Sequence, residues 1–291
     1  MKFGFLLIKS VLRGALFLSC APTYLLYYTC NTDKGATPMK KTFFLIPALM
    51  LPLSACGYSA TDALNDMKKV EVTGSNDLKD GKAITAQAVN PGAFTAISTA
   101  GPDDVVFKTG ESFSVSATGS AQALKNLRFA LKDGNLMVGR YTYSWKDGDN
   151  DKAVITITAP SITAISAAGS GDVKADRVTG PKVSLSLAGS GSIDVADVET
   201  ASLDSDIAGS GDVTLGGKVD MAAYSIAGSG NVAATKMASS SVSVSIVGSG
   251  DANLTASGKV SADIAGSGDV TVSGGAKCTS SIVGSGELNC G

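Results

Sequence analysis

Acidic side chains recur at a fixed address in this 291-residue chain. Asp172, Asp212, Asp251 and Asp269 each stand three residues after the start of a Gly-Ser-Gly triplet. Glu287 takes that place in the last copy, and Ser192 and Asn231 interrupt the series. Stacked about 4.8 Å apart, as in neighbouring strands, such a column brings successive carboxylates within reach of one Ca²⁺. The calcium β-roll repeats every nine residues with a different Asp spacing, so the match is only general. A solvated Asp beside a turn is the plainer reading. The chain has no histidine, which removes the commonest general base, the Ser-His-Asp triad and the usual zinc site. Hydrolysis of glycosides by paired carboxylates needs two acids in a cleft with sugar-stacking rings, yet beyond Pro160 the only aromatic residue is Tyr224. The expectation is a protein that is not an enzyme and uses no cofactor.

Two further sets of residues could do something specific. In Arg140-Tyr141-Thr142-Tyr143-Ser144-Trp145-Lys146, alternation places Tyr141, Tyr143 and Trp145 on one face of a strand, a candidate grip for a glycan or peptide. The competing role for the three rings is a hydrophobic lid over the first coil of the repeats. Cys278 lies six residues before the last triplet and Cys290 six after its first Gly. Two cysteines left in an exported chain usually pair, and here the bond would close the open end of the fold rather than serve redox chemistry, for which Cys-x-x-Cys spacing is expected.

The elements that must position these residues are written in the period. Seven Gly-Ser-Gly triplets begin at Gly169, Gly189, Gly209, Gly228, Gly248, Gly266 and Gly284. A repeat of 18 to 20 residues is too small to bury its own apolar face and must stack, which predicts an all-β solenoid. Four places after each first Gly stand Val173, Ile193, Val213, Val232, Ala252, Val270 and Leu288, and two places before it Ala167, Leu187, Ile207, Ile226, Ile246, Ile264 and Ile282. That even parity is the interior, and the odd positions with their Asp face water. Both glycines share the inward parity, which predicts a pinched corner where a side chain would strike the opposite wall. A thin core of Val, Ile, Leu and Ala with no room for bulky rings follows, in a rod of about 30 Å.

The N-terminal segments read as an address. Residues 39–56, MKKTFFLIPALMLPLSAC, resemble a bacterial lipoprotein signal peptide with its Leu53-Ser54-Ala55-Cys56 lipobox, in which Cys56 would be lipidated and become the mature N-terminus. An ordinary cleaved signal peptide is the alternative, and either exports the chain. Gly57, where an inner-membrane retention signal would place Asp, implies the outer membrane, facing the periplasm or the outside. Residues 1–38 contain a charge-free run of 16 residues, short for a membrane span, and read as a start-site extension ahead of Met39, with an anchor helix as the other option. The mature chain would carry a net charge near −7, which argues against nucleic acid as a partner. Residues 56–81 suit a tether.

Residues 82–160 have the texture of short strands, at 94–98, 104–108, 113–117, 127–131, 136–143 and 154–158, with Asp133-Gly134 as a hairpin turn and a helical turn near 124–127. The solenoid proper occupies 161–291. The ordered set Phe94-Thr95-Ala96-Ile97, Gly101-Pro102-Asp103-Asp104-Val105, Gly110-Glu111-Ser112-Phe113-Ser114-Val115, Lys132-Asp133-Gly134-Asn135-Leu136 and Thr158-Ala159-Pro160, leading into Ala168-Gly169-Ser170-Gly171-Asp172, resembles the DUF2807 family. That family is also named for an autotransporter adhesin head (GIN) domain. The resemblance implies an exported bacterial protein with a right-handed parallel β-helix, and it transfers no binding residues. The expected function is a membrane-anchored binding or adhesion module with an envelope glycan or protein as partner. An envelope spacer or stress-related lipoprotein without a ligand is the alternative.

Overall fold

Val, Ile and Leu at every second position give each coil one apolar face, and only neighbouring coils can cover it. The computed structural model, which describes residues 78–141 and 151–291, shows that stacking. After β8 (Ala164–Gly169) come the long bent strands β9 (Val173–Gly189), β10 (Ser192–Gly209), β11 (Asp212–Gly228), β12 (Val232–Gly248) and β13 (Ala252–Gly266). The last coil is β14 (Val270–Ser273), β15 (Lys277–Gly284) and β16 (Leu288–Cys290). Each lies parallel to its neighbours, with Ile193 between Val173 and Val213 and Gly209 between Gly189 and Gly228. The result is a β-solenoid of about six turns.

The period varies, yet the triplets stay in step. Register shifts fall between Val195 and Val198, Thr214 and Gly216, Ala234 and Ala238, and Ser239 and Ser241. All lie roughly half a coil away from the triplets, so that corner absorbs the extra or missing residues while Gly248 still faces Gly266.

The predicted interior columns are buried from Val173 through Val270 and from Ala167 through Ile264. In the last coil they are not: Ile282 is 37 % exposed, Leu288 is half-buried and Cys290 is exposed, because no later coil lies over them among the described residues. Two other expectations need correcting. The first glycines have φ between 116° and 141°, and a Cβ there would meet not the opposite wall but the carbonyl of the preceding coil's glycine, at 2.0 to 2.6 Å. Close approach of adjacent backbones, together with the left-handed φ, selects glycine. The core also admits a ring. Tyr224 is 1 % exposed, and its neighbours in register are the small Ser205 and Val244, which leave it room.

The N-terminal section forms the other end. It contains β1 (Lys82–Ala83), β2 (Ala96–Gly101), β3 (Asp104–Thr109), β4 (Ser114–Thr118), α1 (Ala121–Lys125), β5 (Leu127–Lys132), β6 (Asn135–Arg140) and β7 (Val154–Ala159). The strand read from sequence at 136–143 ends at Arg140, and residues 142 and 143 lie outside the described residues. Asp133 and Gly134 both take positive φ, as a tight hairpin between β5 and β6 demands. Ser120 caps α1 by accepting from the Ala123 amide. β2 pairs in parallel with β8, Gly101 opposite Gly169, so the solenoid begins one coil before the first Gly-Ser-Gly. The β5–β6 hairpin then lies over that first coil, burying Leu127, Phe129, Leu136 and Val138.

Candidate binding surface

The acidic column is a hydrogen-bonded ladder. The Asp251 amide donates to Asn231 Oδ1 at 3.0 Å, the Asp269 amide to Asp251 Oδ1 at 2.9 Å, and the Glu287 amide to Asp269 Oδ1 at 2.8 Å. The Asn231 amide and its Nδ2 both donate to Asp212 Oδ1, at 3.0 and 2.8 Å, and the Ser192 amide and hydroxyl both donate to Asp172 Oδ1. Asp172, Asp212, Asn231, Asp251 and Asp269 each thus supply the acceptor for the next coil's amide at the corner. Ser192 shows why: its hydroxyl bonds backward to Asp172, and the Asp212 amide falls back on the Gly191 carbonyl at 3.3 Å. The ladder starts one coil earlier than the triplets suggested, because the Asp172 amide donates to Asp104 Oδ1 at 3.0 Å. The spacing of Gly101 to Asp104-Val105 matches that of Gly169 to Asp172-Val173, a signal hidden by the Pro102-Asp103 that replaces Ser-Gly. One oxygen of Asp172, Asp212, Asp251 and Asp269 is therefore engaged by the protein. Among the described residues no group of three or more His, Cys, Asp or Glu is spaced to hold a metal ion.

The aromatic face is described only at its start. Tyr141 is half-buried, its amide donates to the Asn126 carbonyl at 3.2 Å, and the Arg128 guanidinium sits 4.7 Å from its ring centre. Tyr143 and Trp145 lie outside the described residues. The segment carrying them is tied at both ends. Arg140, before it, donates from Nε and Nη2 to Asp103 at 2.7 and 2.6 Å, and again to the Asp151 carbonyl after it. Asp103 Oδ1 also accepts from the Ala153 amide at 2.9 Å. This ion pair is almost fully buried, so its remaining polar atoms need partners, and the backbone just after residues 142–150, at Asp151 and Ala153, supplies two of them.

A third feature has no counterpart in the sequence reading. Seven residues before successive triplets stand Lys182, Ser202, Met221, Ser241, Lys259 and Lys277, and the structure places them in register down one face. A groove of about 640 Å³ runs beside this column from the Ser202 coil to the Lys277 coil, lined mainly by apolar atoms. Met221 is 57 % exposed at its wall. At one end Asp204 is paired with Lys182 at 2.6 Å. At the other, Lys259 and Lys277 stand side by side with no ion-pair partner among the described residues. The shared offset from each triplet was the available signal, but it becomes a surface only when the coils stack.

Cys278 and Cys290 are bonded, with Cα atoms 6.3 Å apart, and the bridge ties β15 to β16 in the last coil. Cys56 lies outside the described residues, and no helix among those described is long and apolar enough to cross a membrane. In the interior, Tyr224 OH and Ser205 Oγ have no hydrogen-bond partner, and burial raises the phenol's pKa far above its ordinary value.

The family model described as "Putative auto-transporter adhesin, head GIN domain" matches residues 93–276. No curated protein matches the chain. Among solved structures, one described as a "putative adhesin" from Bacteroides fragilis is similar with a TM-score of 0.63 at 23 % identity, over 70 % of this chain and 95 % of that one. Another, described as a "putative lipid binding protein" from Parabacteroides distasonis, has a TM-score of 0.56 at 22 % identity, over 73 % and 98 %. A third, a "putative adhesin" from Parabacteroides merdae, has a TM-score of 0.56 at 20 % identity, over 73 % and 97 %. At these identities the likeness is one of fold.

Proposed function

The chain belongs to the DUF2807 family, and from that membership we propose that it is a non-enzymatic binding or adhesion module of the bacterial cell envelope, held to the outer membrane by lipid on Cys56. The family and two of the three structural neighbours are described as "putative adhesin" and the third as a "putative lipid binding protein", none as an enzyme, which supports an exported or surface protein. The observation that carries the reading is the division of labour in the coils. Apolar side chains fill the interior from Val105 to Val272, while outward residues repeat in register along the whole rod and form one continuous surface. Such a surface suits contact with a polymer or partner through many weak sites. The partner is an envelope glycan or protein, and the Tyr141, Tyr143 and Trp145 segment is its aromatic contact.

The test is binding of the purified full chain to isolated cell envelopes. Replacing Tyr141, Tyr143 and Trp145 together by Ala is expected to weaken it at least tenfold. Unchanged binding sinks the aromatic contact, and no binding by the unaltered chain sinks the module. Lipid labelling in cells is expected to disappear in Cys56→Ser, and persistent labelling would refute the anchor.

A further inference from the structure

The groove beside Met221 carries more than a general surface. Its lining is mainly apolar and open to water along its length, so water is displaced from it at a gain when an apolar chain settles there. It spans the coils of Ser202, Met221, Ser241, Lys259 and Lys277. Four steps of about 4.8 Å make it about 19 Å long. Its two ends differ in charge. Asp204 is answered by Lys182, so that end is neutral, whereas Lys259 and Lys277 leave two positive charges unanswered at the other. The Ser261 hydroxyl lines the same end and can donate to an anion that both ammonium groups attract, whereas the Thr279 hydroxyl already donates to the Val260 carbonyl at 3.3 Å.

We propose that this groove binds a single long acyl chain ending in a carboxylate, with the carboxylate between Lys259 and Lys277 and the chain lying along the rod past Met221 towards Leu203. A polysaccharide fits poorly, because the lining contains no aromatic ring on which a sugar could stack. A methylene chain advances about 1.25 Å per carbon when extended, from the tetrahedral geometry of a 1.5 Å bond, so about twelve to sixteen carbons fill the groove from the lysines to the Ser202 coil. The inference rests on reading the outer wall of the solenoid as the ligand-binding part. It adds a ligand class and a site that the aromatic segment does not share.

The experiment is calorimetric titration of the full chain with tetradecanoate below its micelle concentration, beside hexanoate and the tetradecyltrimethylammonium cation. One saturable site is expected for tetradecanoate, with both comparison ligands at least tenfold weaker. Lys259→Ser with Lys277→Ser is expected to weaken tetradecanoate at least tenfold, as is Met221→Glu, which sets a solvated charge in the path of the apolar chain. Circular dichroism identifies variants that still fold, and either variant alone suffices. Equal binding of the cation overturns the assignment, as does full affinity in the double lysine variant or the absence of a saturable site. Dextran sulfate competing with tetradecanoate as strongly as a second fatty acid would make the lysines a general polyanion patch and would also overturn it. Envelope binding that survives while tetradecanoate fails removes this site and leaves the adhesion reading standing. Loss of envelope binding with tetradecanoate intact does the reverse.

Discussion

Ser192→Asn should repair the one rung of the side-chain ladder that is incomplete. At present Ser192 Oγ donates to Asp172 Oδ1 at 2.7 Å and offers nothing forward, so the Asp212 amide takes the Gly191 carbonyl at 3.3 Å. Asn231 shows what an amide does at this address. Its Nδ2 donates backward to Asp212 at 2.8 Å and its Oδ1 accepts forward from the Asp251 amide at 3.0 Å. Asn at 192 would keep the backward bond and turn a long forward bond into a good one. A net hydrogen bond is worth about 1 kcal/mol, and fixing one more rotatable side chain removes a few tenths of a kcal/mol. The expected gain is about 0.5 to 1 kcal/mol, which for a domain of this size is about 1 to 4 °C in melting temperature. The converse variants separate acceptor from charge. Asp251→Ala removes the partner of the Asp269 amide and should cost about 1 to 2 kcal/mol, the lower end being favoured at a partly solvated site. Asp251→Asn keeps an acceptor and relieves repulsion along the column, so it should be close to neutral. Chemical denaturation with and without calcium measures all three. If Asp251→Asn is as damaging as Asp251→Ala, or if calcium stabilises the parent chain and not Asp251→Asn, the carboxylates act by charge and the ladder argument is wrong.

Gly228→Ala should cost at least about 3 kcal/mol or abolish folding, because a Cβ would lie 2.2 Å from the Gly209 carbonyl at a φ of +130°; wild-type stability in this variant would contradict the close-packed corner. Tyr224→Phe should stabilise by about 1 kcal/mol, since the hydroxyl is buried without a partner, and equilibrium unfolding reads the sign. Burial raises the Tyr224 pKa in the folded state; the unfolded chain therefore releases that proton first, and stability should fall as pH rises above about 10, by up to about 1.4 kcal/mol per pH unit from this group. The slope should shrink in Tyr224→Phe. Replacing Cys278 and Cys290 by Ser opens a loop of sequence separation 12, worth about 3 kcal/mol in the chain-entropy model, and faster amide exchange should be confined to β14, β15 and β16. Exchange that accelerates equally in β9 would mean that the bridge supports the whole rod.

The repeat period and the identity of the buried columns were legible because both depend on intervals along one strand. Val213, Val270 and Ile264 alternate with polar neighbours, and alternation fixes which side of a strand a residue occupies whatever lies next to it. The disulfide was legible for a related reason, since two cysteines of inward parity in the same coil have little else to meet. The outward residues were harder. Asp251 read as a solvated carboxylate because its partner, the Asp269 amide, is 18 residues away, and nothing local indicates that the corner leaves that amide without a backbone acceptor. Asp104 was hidden because Gly101-Pro102-Asp103 does not look like Gly-Ser-Gly, although its backbone occupies the same place in the coil before the first triplet.

The sequence by itself determined that this chain must coil and which side chains must be inside, because a short period and strict alternation leave stacking as the only way to bury the apolar positions. The tertiary structure alone decided what those coils present. Lys259 and Lys277 form a pair only when the register puts them in adjacent coils, and Tyr224 fits inside only because Ser205 lies next to it. The same holds for the glycines, whose true neighbour is the carbonyl one coil away. Each of these is a contact across about 18 to 20 residues, set by where the corners gain or lose a residue, and that setting is a property of the stacked coils rather than of any one strand.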